Sequence, residues 1–241
     1  MPSRALGIIL ARAGSKGLPN KNALKVAGKP MLAWTIEHAL ASHRLDRVLV
    51  STDGPKLAEI ARPYDVQVVL RPDELASDTA TVDAAARHAV NQIVGLHQHL
   101  AILYGNVPVR PADLTDHALA KLNETGCDSV QSVYPVEKNH PFWMKRVEPE
   151  SGRLDMFVDN DIYRRQDLPP VYMLDGGVIA LTRDALFSFE PGRPHAFLGK
   201  DRRAVVTQPG EVVDVDSETD RLVAETILQR HEHQPGVRAV G

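Results

Sequence analysis

The chain alternates between two hydrophobic patterns. Short runs rich in apolar and β-branched residues at Leu6–Leu10, Arg47–Ser51, Val66–Leu70 and Ala101–Leu103 read as strands, and Asp128–Tyr134, Gly177–Ala180 and Ala204–Thr207 extend the series. Between them, apolar residues recur at helical spacing over Met31–Ser42, Lys56–Tyr64, Val82–Val94, Pro111–Glu124, Arg183–Phe187 and Thr219–Gln229. In Val82–Val94, the side chains of Val82, Ala85, Ala86, Ala89, Val90 and Ile93 line one face, and Thr81 can cap the start. Strand–helix alternation of this kind implies an α/β fold with a mainly parallel sheet.

Length and composition narrow the picture. The 241 residues suit one α/β domain spanning 1–241, and 43% hydrophobic content supports a substantial core. The rhythm breaks over 135–170, which is rich in Pro, aromatic and charged residues. There Phe142, Trp143, Met144 and Phe157 either present an apolar contact surface or cover one end of the domain's own core. A formal charge of -3 gives no basic surplus for nucleic acid, and no run is long enough to cross a membrane. The single cysteine, Cys127, is expected as a buried strand residue in a reducing, cytoplasmic protein, and no secretory signal is evident. The ten histidines scatter without a ligand spacing and are expected at the surface.

The segment after the first strand carries the strongest chemistry. Arg12–Asn22 packs one Arg, two Lys and two Gly into eleven residues. Glycines let backbone N–H groups crowd an anion, and the cations neutralise it, so a loop here fits a triphosphate. Neither the Walker string nor the G-x-G-x-x-G dinucleotide fingerprint is present, which disfavours an NAD-type domain. Near the other end, Asp214 and Asp216 are expected two apart on a strand, pointing to one face. Carboxylates so close repel unless a cation lies between them, and Mg²⁺ with phosphate is the usual choice.

The string A-R-x-G-S-K-G-x-x-x-K-N, followed by Gly28-Lys29-Pro30 and a helix, resembles the opening of the N-acylneuraminate cytidylyltransferases, or CMP-sialic acid synthetases. Val50-Ser51-Thr52-Asp53, Arg71-Pro72, Asp78-Thr79, Arg164–Pro169 and Val213–Asp216 extend the likeness over most of the chain. The resemblance implies a Rossmann-like, GT-A-type nucleotidyltransferase that joins CTP to a nonulosonic sugar acid with Mg²⁺ and releases pyrophosphate. It also implies that the 135–170 excursion builds a homodimer contact.

Residue by residue, the resemblance implies that Ala11, Arg12, Gly14, Ser15, Lys16, Gly17, Lys21 and Asn22 hold the nucleotide, with Lys21 and Arg12 catalytic. It implies base reading by Arg71 and by Ser77, Asp78, Thr79 and Ala80, and a metal-binding pair at Asp214 and Asp216. Arg71 pairing with Asp73 or Glu74, and Asp78 capping a helix, stay open as plainer readings. Asp53, beside Ser51, Thr52 and Pro55, reads as helix-start chemistry, and Glu218 and Asp220 suit the first turn of the last helix.

The acceptor side departs from the family pattern. A Gln-Pro-Thr-Ser-Pro-Leu-Arg motif corresponds here to Tyr104-Gly105-Asn106-Val107-Pro108-Val109-Arg110, and Tyr-x-x-Asn-Gly-Ala to Tyr172–Gly177, with Asp175 in place of Asn. Tyr104, Asn106, Arg110, Tyr172 and Asp175, with Arg164, Arg165 and Gln166 as a bidentate clamp, are the acceptor-binding candidates. These departures leave room for a sugar 1-phosphate or phosphonate acceptor and for GTP. A nucleotide-binding module without turnover is the alternative from another class, and the retained Lys21, Asp214 and Asp216 argue against it.

Overall fold

The computed structural model describes residues 5–15, 17–77, 79–188, 190 and 192–233. The chain runs β1 (Ala5–Leu10), a short 3-10 turn at Lys21–Ala23, the hairpin β2 (Lys25–Val26) and β3 (Lys29–Pro30), α1 (Met31–Ala41), β4 (Leu45–Thr52), α2 (Pro55–Ala61) and β5 (Gln67–Leu70). It continues through α3 (Val82–Asn91), β6 (His99–Tyr104), α4 (Leu114–Thr125), β7 (Ser129–Pro135) and a second hairpin, β8 (Lys145–Val147) and β9 (Leu154–Met156). Then follow β10 (Tyr172–Thr182), α5 (Arg183–Phe187), β11 (Arg202–Val206) and α6 (Glu218–His233).

The described residues form a seven-stranded sheet in the order β11-β7-β10-β6-β1-β4-β5. All neighbouring pairs are parallel except those of β10, which runs antiparallel to both β6 and β7. Every residue of β1 is buried, as a central strand covered on both faces requires. Its alternate residues feed two layers. Ile9 and Ala11 meet Leu32 and Ile36 of α1, Leu57 of α2 and Leu114 of α4. Leu6, Ile8 and Leu10 meet Ala85, Ala86 and Ala89 of α3 and Leu186 of α5. A third cluster seats α6, through Ala224 and Leu228, on Val26, Val109, Val213 and Val215.

The chain leaves β1 toward β4 on one side, while β6 lies on the other. The strand order therefore reverses at β1 and β6, and the crevice beyond their carboxyl ends is where open α/β sheets hold ligands.

Several element limits differ from the sequence expectation for local reasons. The second helix ends at Ala61 because Pro63 has no N–H to continue the hydrogen-bond ladder, although Arg62 before it keeps helical geometry. Pro111 forms a turn with Leu114, and α4 starts only there. The expected Gly177–Ala180 strand extends back to Tyr172, through an irregularity between Leu174 and Ile179. Cys127 is buried but precedes β7 rather than lying in it. Asp214–Asp216 is not in a strand; only Val213 bridges, to Val109, and the acids follow in an irregular segment before α6.

Two histidines expected at the surface are internal. His38 lies 2.8 Å from the Thr115 hydroxyl, and burial, with the charge of Arg110, pulls its pKa down to about 3. His140 is buried and donates from Nε2 to the Pro169 carbonyl at 3.0 Å, while its Nδ1 accepts from the Phe142 N–H.

Arg110 and Asp175 are also structural in this fold, and neither lines the crevice. The Arg110 guanidinium donates to Gly177 O at 2.7 Å, Tyr104 O at 2.9 Å, the Thr35 hydroxyl at 3.0 Å and Val107 O. It thereby bolts the end of β6 to β10 and α1. Burial lowers its pKa to about 9, with Asp214 and Asp175 opposing, so it stays charged at neutral pH. Asp175 is 8% exposed and spends both oxygens inside the sheet. It accepts from the Gly177 N–H at 2.8 Å, the Thr207 hydroxyl at 2.7 Å and the Ser132 hydroxyl. A carboxylate with that many internal donors holds the β10 irregularity together.

Replacing Arg110 by Leu strips the Gly177 and Tyr104 carbonyls of a charged donor. We expect a stability loss of about 3 kcal/mol, read as a lower midpoint in urea unfolding with an unchanged slope.

Candidate active site

The site is assembled at the strand ends just described. After Ala11, whose N–H donates to Ser51 O at 3.0 Å, the chain enters the glycine-and-cation loop. Lys21–Ala23 forms a single 3-10 turn, entered through Asn20 in the left-handed region at φ 54. The turn aims Lys21 back over the sheet, where its Nζ lies 2.5 Å from Asp216 Oδ1. The lysine side chain is 15% exposed and the aspartate 73% exposed, so the cation is the sheltered partner.

Asn22 is buried and donates from Nδ2 to Arg12 O at 2.9 Å, tying the turn to the loop; its Oδ1 is buried with no donor among the described residues. Such an oxygen asks for a donor from a ligand or a water. Gly17 sits hard against the acid segment: a Cβ there would come within 2.8 Å of the Asp216 carbonyl oxygen. Only glycine permits this approach of the loop to the acids.

A cavity of about 300 Å³ opens among these parts, lined by Arg12, Gly14, Ser15, Lys21, Asn22, Arg71, Ser77, Ala80, Tyr104 and Asn106. Leu10, Leu75, Val82 and Ala85 supply an apolar wall. The structure thus gathers most of the nucleotide-binding candidates together with two of the acceptor-binding ones. Thr79 stands beside Ser77, with their hydroxyls 3.1 Å apart. Lys16 and Asp78 lie outside the described residues.

Arg71 pairs with neither Asp73 nor Glu74. Its guanidinium is fixed on Ser51, to the hydroxyl at 2.8 Å and the carbonyl at 2.9 Å. Burial lowers its pKa to about 10, with Asp53 opposing and Arg12 adding to the fall. Burial and the charge of Asp214 raise the Tyr104 phenol to about 12, so it is a neutral donor at the cavity wall.

The acid pair faces the loop from the opposite side. Asp214 accepts from Asn106 Nδ2, and its pKa is pushed up to about 6, first by burial and then by Asp216, with Lys21 and Arg110 opposing. Asp220 accepts from the Ser217 N–H at 2.8 Å and the Asp216 N–H at 3.1 Å, securing the entry to α6 as the sequence suggests.

Among the described residues, no group of three or more His, Cys, Asp or Glu side chains is arranged to hold a metal ion. Two carboxylates held by Lys21 and Asn106, both of which line the cavity, nevertheless fit Mg²⁺, which takes one or two protein carboxylates and completes its shell with phosphate and water. Space beside Asp214 is kept open by Gly176, at φ +75, where a Cβ would come within 3.0 Å of Asp214 Oδ2.

The remaining candidates stand elsewhere. Arg164 forms a bidentate pair with Asp167, at 2.7 and 3.1 Å, and Arg165 pairs with Glu137. With Gln166, Arg165 borders a separate cavity of about 330 Å³. Tyr172 is exposed at the start of β10.

One residue of the site was read as something else. Asp53 does not cap α2, whose preceding residue is Gly54 and carries no side-chain cap. Its Oδ1 accepts the Ala13 N–H at 2.8 Å, so it moors the glycine loop to the end of β4. A Ser-Thr-Asp-Gly-Pro string looks the same in sequence whether the aspartate turns to its own helix or to a loop 40 residues away.

The chain belongs to the cytidylyltransferase family, whose model matches residues 6–148. It is 30% identical to the CMP-N,N'-diacetyllegionaminic acid synthase of Legionella pneumophila, over 94% of this chain and 97% of that protein. It is 32% identical to the N-acylneuraminate cytidylyltransferase of Escherichia coli O18:K1:H7, over 97% of this chain. The chain spans about half of that longer relative, 54% of its length. Among solved structures it is similar to CMP:2-keto-3-deoxy-manno-octonic acid synthetase complexed with CTP, with a TM-score of 0.73 over 95% of this chain and 100% of that one. At 18% identity, that likeness shows the fold alone.

If Asp53 moors the loop, Asp53→Ala raises the KM for nucleotide about tenfold with a smaller change in kcat. Asp53→Asn, which keeps the accepting oxygen, recovers most of the loss. Steady-state kinetics on the two variants checks this.

Proposed function

We propose that the protein transfers CMP from CTP to a nonulosonic sugar acid and releases pyrophosphate. The observation that carries this reading is the cavity lined by Arg12, Ser15 and Lys21, two of whose lining residues, Lys21 and Asn106, hold Asp216 and Asp214, in a chain of the cytidylyltransferase family. The relatives' names, synthases of CMP-sugar acids, support the acceptor class.

Phosphoryl-type transfer asks chiefly for positioning and for neutralising charge that builds on the phosphate oxygens. The loop backbone from Gly14 to Gly17 cradles the polyphosphate, and Arg12 and Lys21 supply positive charge. Lys21 is the group that reaches the α-phosphate, leaving Asp216 to do so. Asn22 Oδ1 takes a donor from the nucleotide, and Arg71 with Ser77, Thr79 and Ala80 shapes the base pocket against the apolar wall. The sugar's anomeric hydroxyl oxygen bonds to the α-phosphorus as the bridge to the β-phosphate breaks. Asp214 and Asp216 would hold Mg²⁺, which when bound neutralises the phosphates and polarises them toward attack.

Tyr104 and Asn106 stand at the cavity rim, where they meet the acceptor. Arg164, Arg165 and Gln166 reach the acceptor only from a second copy or after rearrangement, since within one chain they border another cavity. A homodimer is part of this proposal. Val147, Leu154, Phe157 and Leu174, on the β8–β9 hairpin and the start of β10, are 61%, 64%, 48% and 59% exposed, and a second copy would cover them. Phe142 and Trp143 instead turn partly inward, with the Trp143 indole donating to Ile162 O at 3.3 Å. The buried free thiol of Cys127 suits the cytoplasm.

The decisive measurement is pyrophosphate release from each of four nucleoside triphosphates against a panel of nonulosonic acids and sugar 1-phosphates. CTP with a nonulosonic acid should be the productive pair; turnover only with GTP or a sugar 1-phosphate would replace this reading. Lys21→Ala should lower kcat by about 10³-fold with a folded, CTP-binding protein, because its charge matters most in the transition state. Leu154→Asp should convert the dimer to monomer in sedimentation velocity; a monomeric parent protein would remove the dimer from the proposal.

A further inference from the structure

The two acids of the proposed metal site are held very differently. Asp216 is exposed, and among the described residues Lys21 is the one side chain that restrains its carboxylate, in a pair that a bound polyphosphate would compete for. Asp214 is fixed from several directions. Both N–H bonds of the Asn106 amide point into its segment, one to Asp214 Oδ1 and one to Val215 O at 3.2 Å. The Val215 N–H returns the contact to Asn106 O at 3.0 Å. Val215 itself is fully buried in the cluster under α6, so the peptide carrying Asp214 cannot slide. On the far side of the carboxylate, Gly176 stands close to Oδ2. Asn106 follows β6 by two residues and lines the cavity.

We infer that Asn106 is a positioning residue that presets Asp214 for a divalent cation, and that Asp216 joins only when the nucleotide arrives. This rests on the acid-pair reading proposed above. The Asn106 amide works as an outer-shell donor: it fixes the orientation of one carboxylate oxygen and leaves Oδ2 for the ion. Partners of this kind are worth about 10–100-fold in metal affinity. The side chain at position 106 then acts on the acid segment rather than on the sugar alone.

The test uses the full chain and Mn²⁺ as the probe, with free Mn²⁺ read by electron paramagnetic resonance in the presence of CTP. CTP binding without metal is measured by calorimetry. Asn106→Ala should raise the Mn²⁺ concentration for half-saturation by about tenfold or more. Asn106→Thr, which keeps one short donor, should fall between Ala and the parent. Asp214→Ala should be at least as severe as Asn106→Ala, and the double variant should be no worse than Asp214→Ala alone, because the two act as one unit. Metal-free CTP affinity should move by less than about threefold, against that tenfold metal effect. If Asn106→Ala does not fold, the cycle of Asn106→Thr with Asp214→Ala reads the same coupling.

Unchanged Mn²⁺ half-saturation in both Asn106 variants, whatever their melting temperatures, overturns the inference and leaves the acid pair standing. If the parent protein with CTP binds Mn²⁺ no better than Asp214→Ala does, the acid-pair reading fails and takes this inference with it.

Discussion

Opposite charges facing each other across one crevice are the constraint on which the site depends. Lys21 and Asp216 meet at 2.5 Å although 195 residues separate them. The sheltered ammonium needs an anion there, and the exposed Asp216 carboxylate supplies it. The scaffold exists to make this meeting repeatable. One end of the pair hangs from β1 through a single helical turn. The other hangs from a buried valine pair, Val213 and Val215, that packs with α6 against Val26 and Val109.

Around that pair the cations are graded by how firmly they are held. Arg110 is locked to carbonyls beneath the floor, and Arg71 is locked to Ser51 at the rim of β4. Lys21 has only a carboxylate that a polyphosphate could replace as its partner. Rigid guanidinium groups set the shape and the field, and the ammonium is the cation whose partner can be exchanged. This fits the general difference between the two side chains.

The order of strands and helices was largely legible, because each buried strand and each amphipathic helix carries its own local pattern. The glycine-and-cation loop was legible for the same reason: its residues are contiguous, and Arg12, Gly14, Ser15, Lys21 and Asn22 line one cavity. What was not legible depends on distance. Arg110 looks like a substrate arginine until its acceptors, in α1, β6 and β10, are known. Asp175 looks like an unwelcome charge until three donors from β7, β10 and the residue after β11 are seen around it. The acids looked like a strand pair because alternation at Val213 and Val215 mimics one, yet those valines face the α6 cluster and not a neighbouring strand. His38 and His140 carried no sequence sign of burial at all.

The bolt beneath the floor has a wider meaning. Because Arg110 secures the strand end from below, using main-chain acceptors that any sequence offers, the side chains above it carry little of the burden of holding the architecture. Position 104 can therefore change without endangering the frame, whereas Gly105, where a Cβ would come within 2.8 Å of the Ala11 side chain, and Asn106, which holds the acid segment, cannot. A change at that one side chain would reshape the cavity wall while leaving the glycine loop and the acid segment in place.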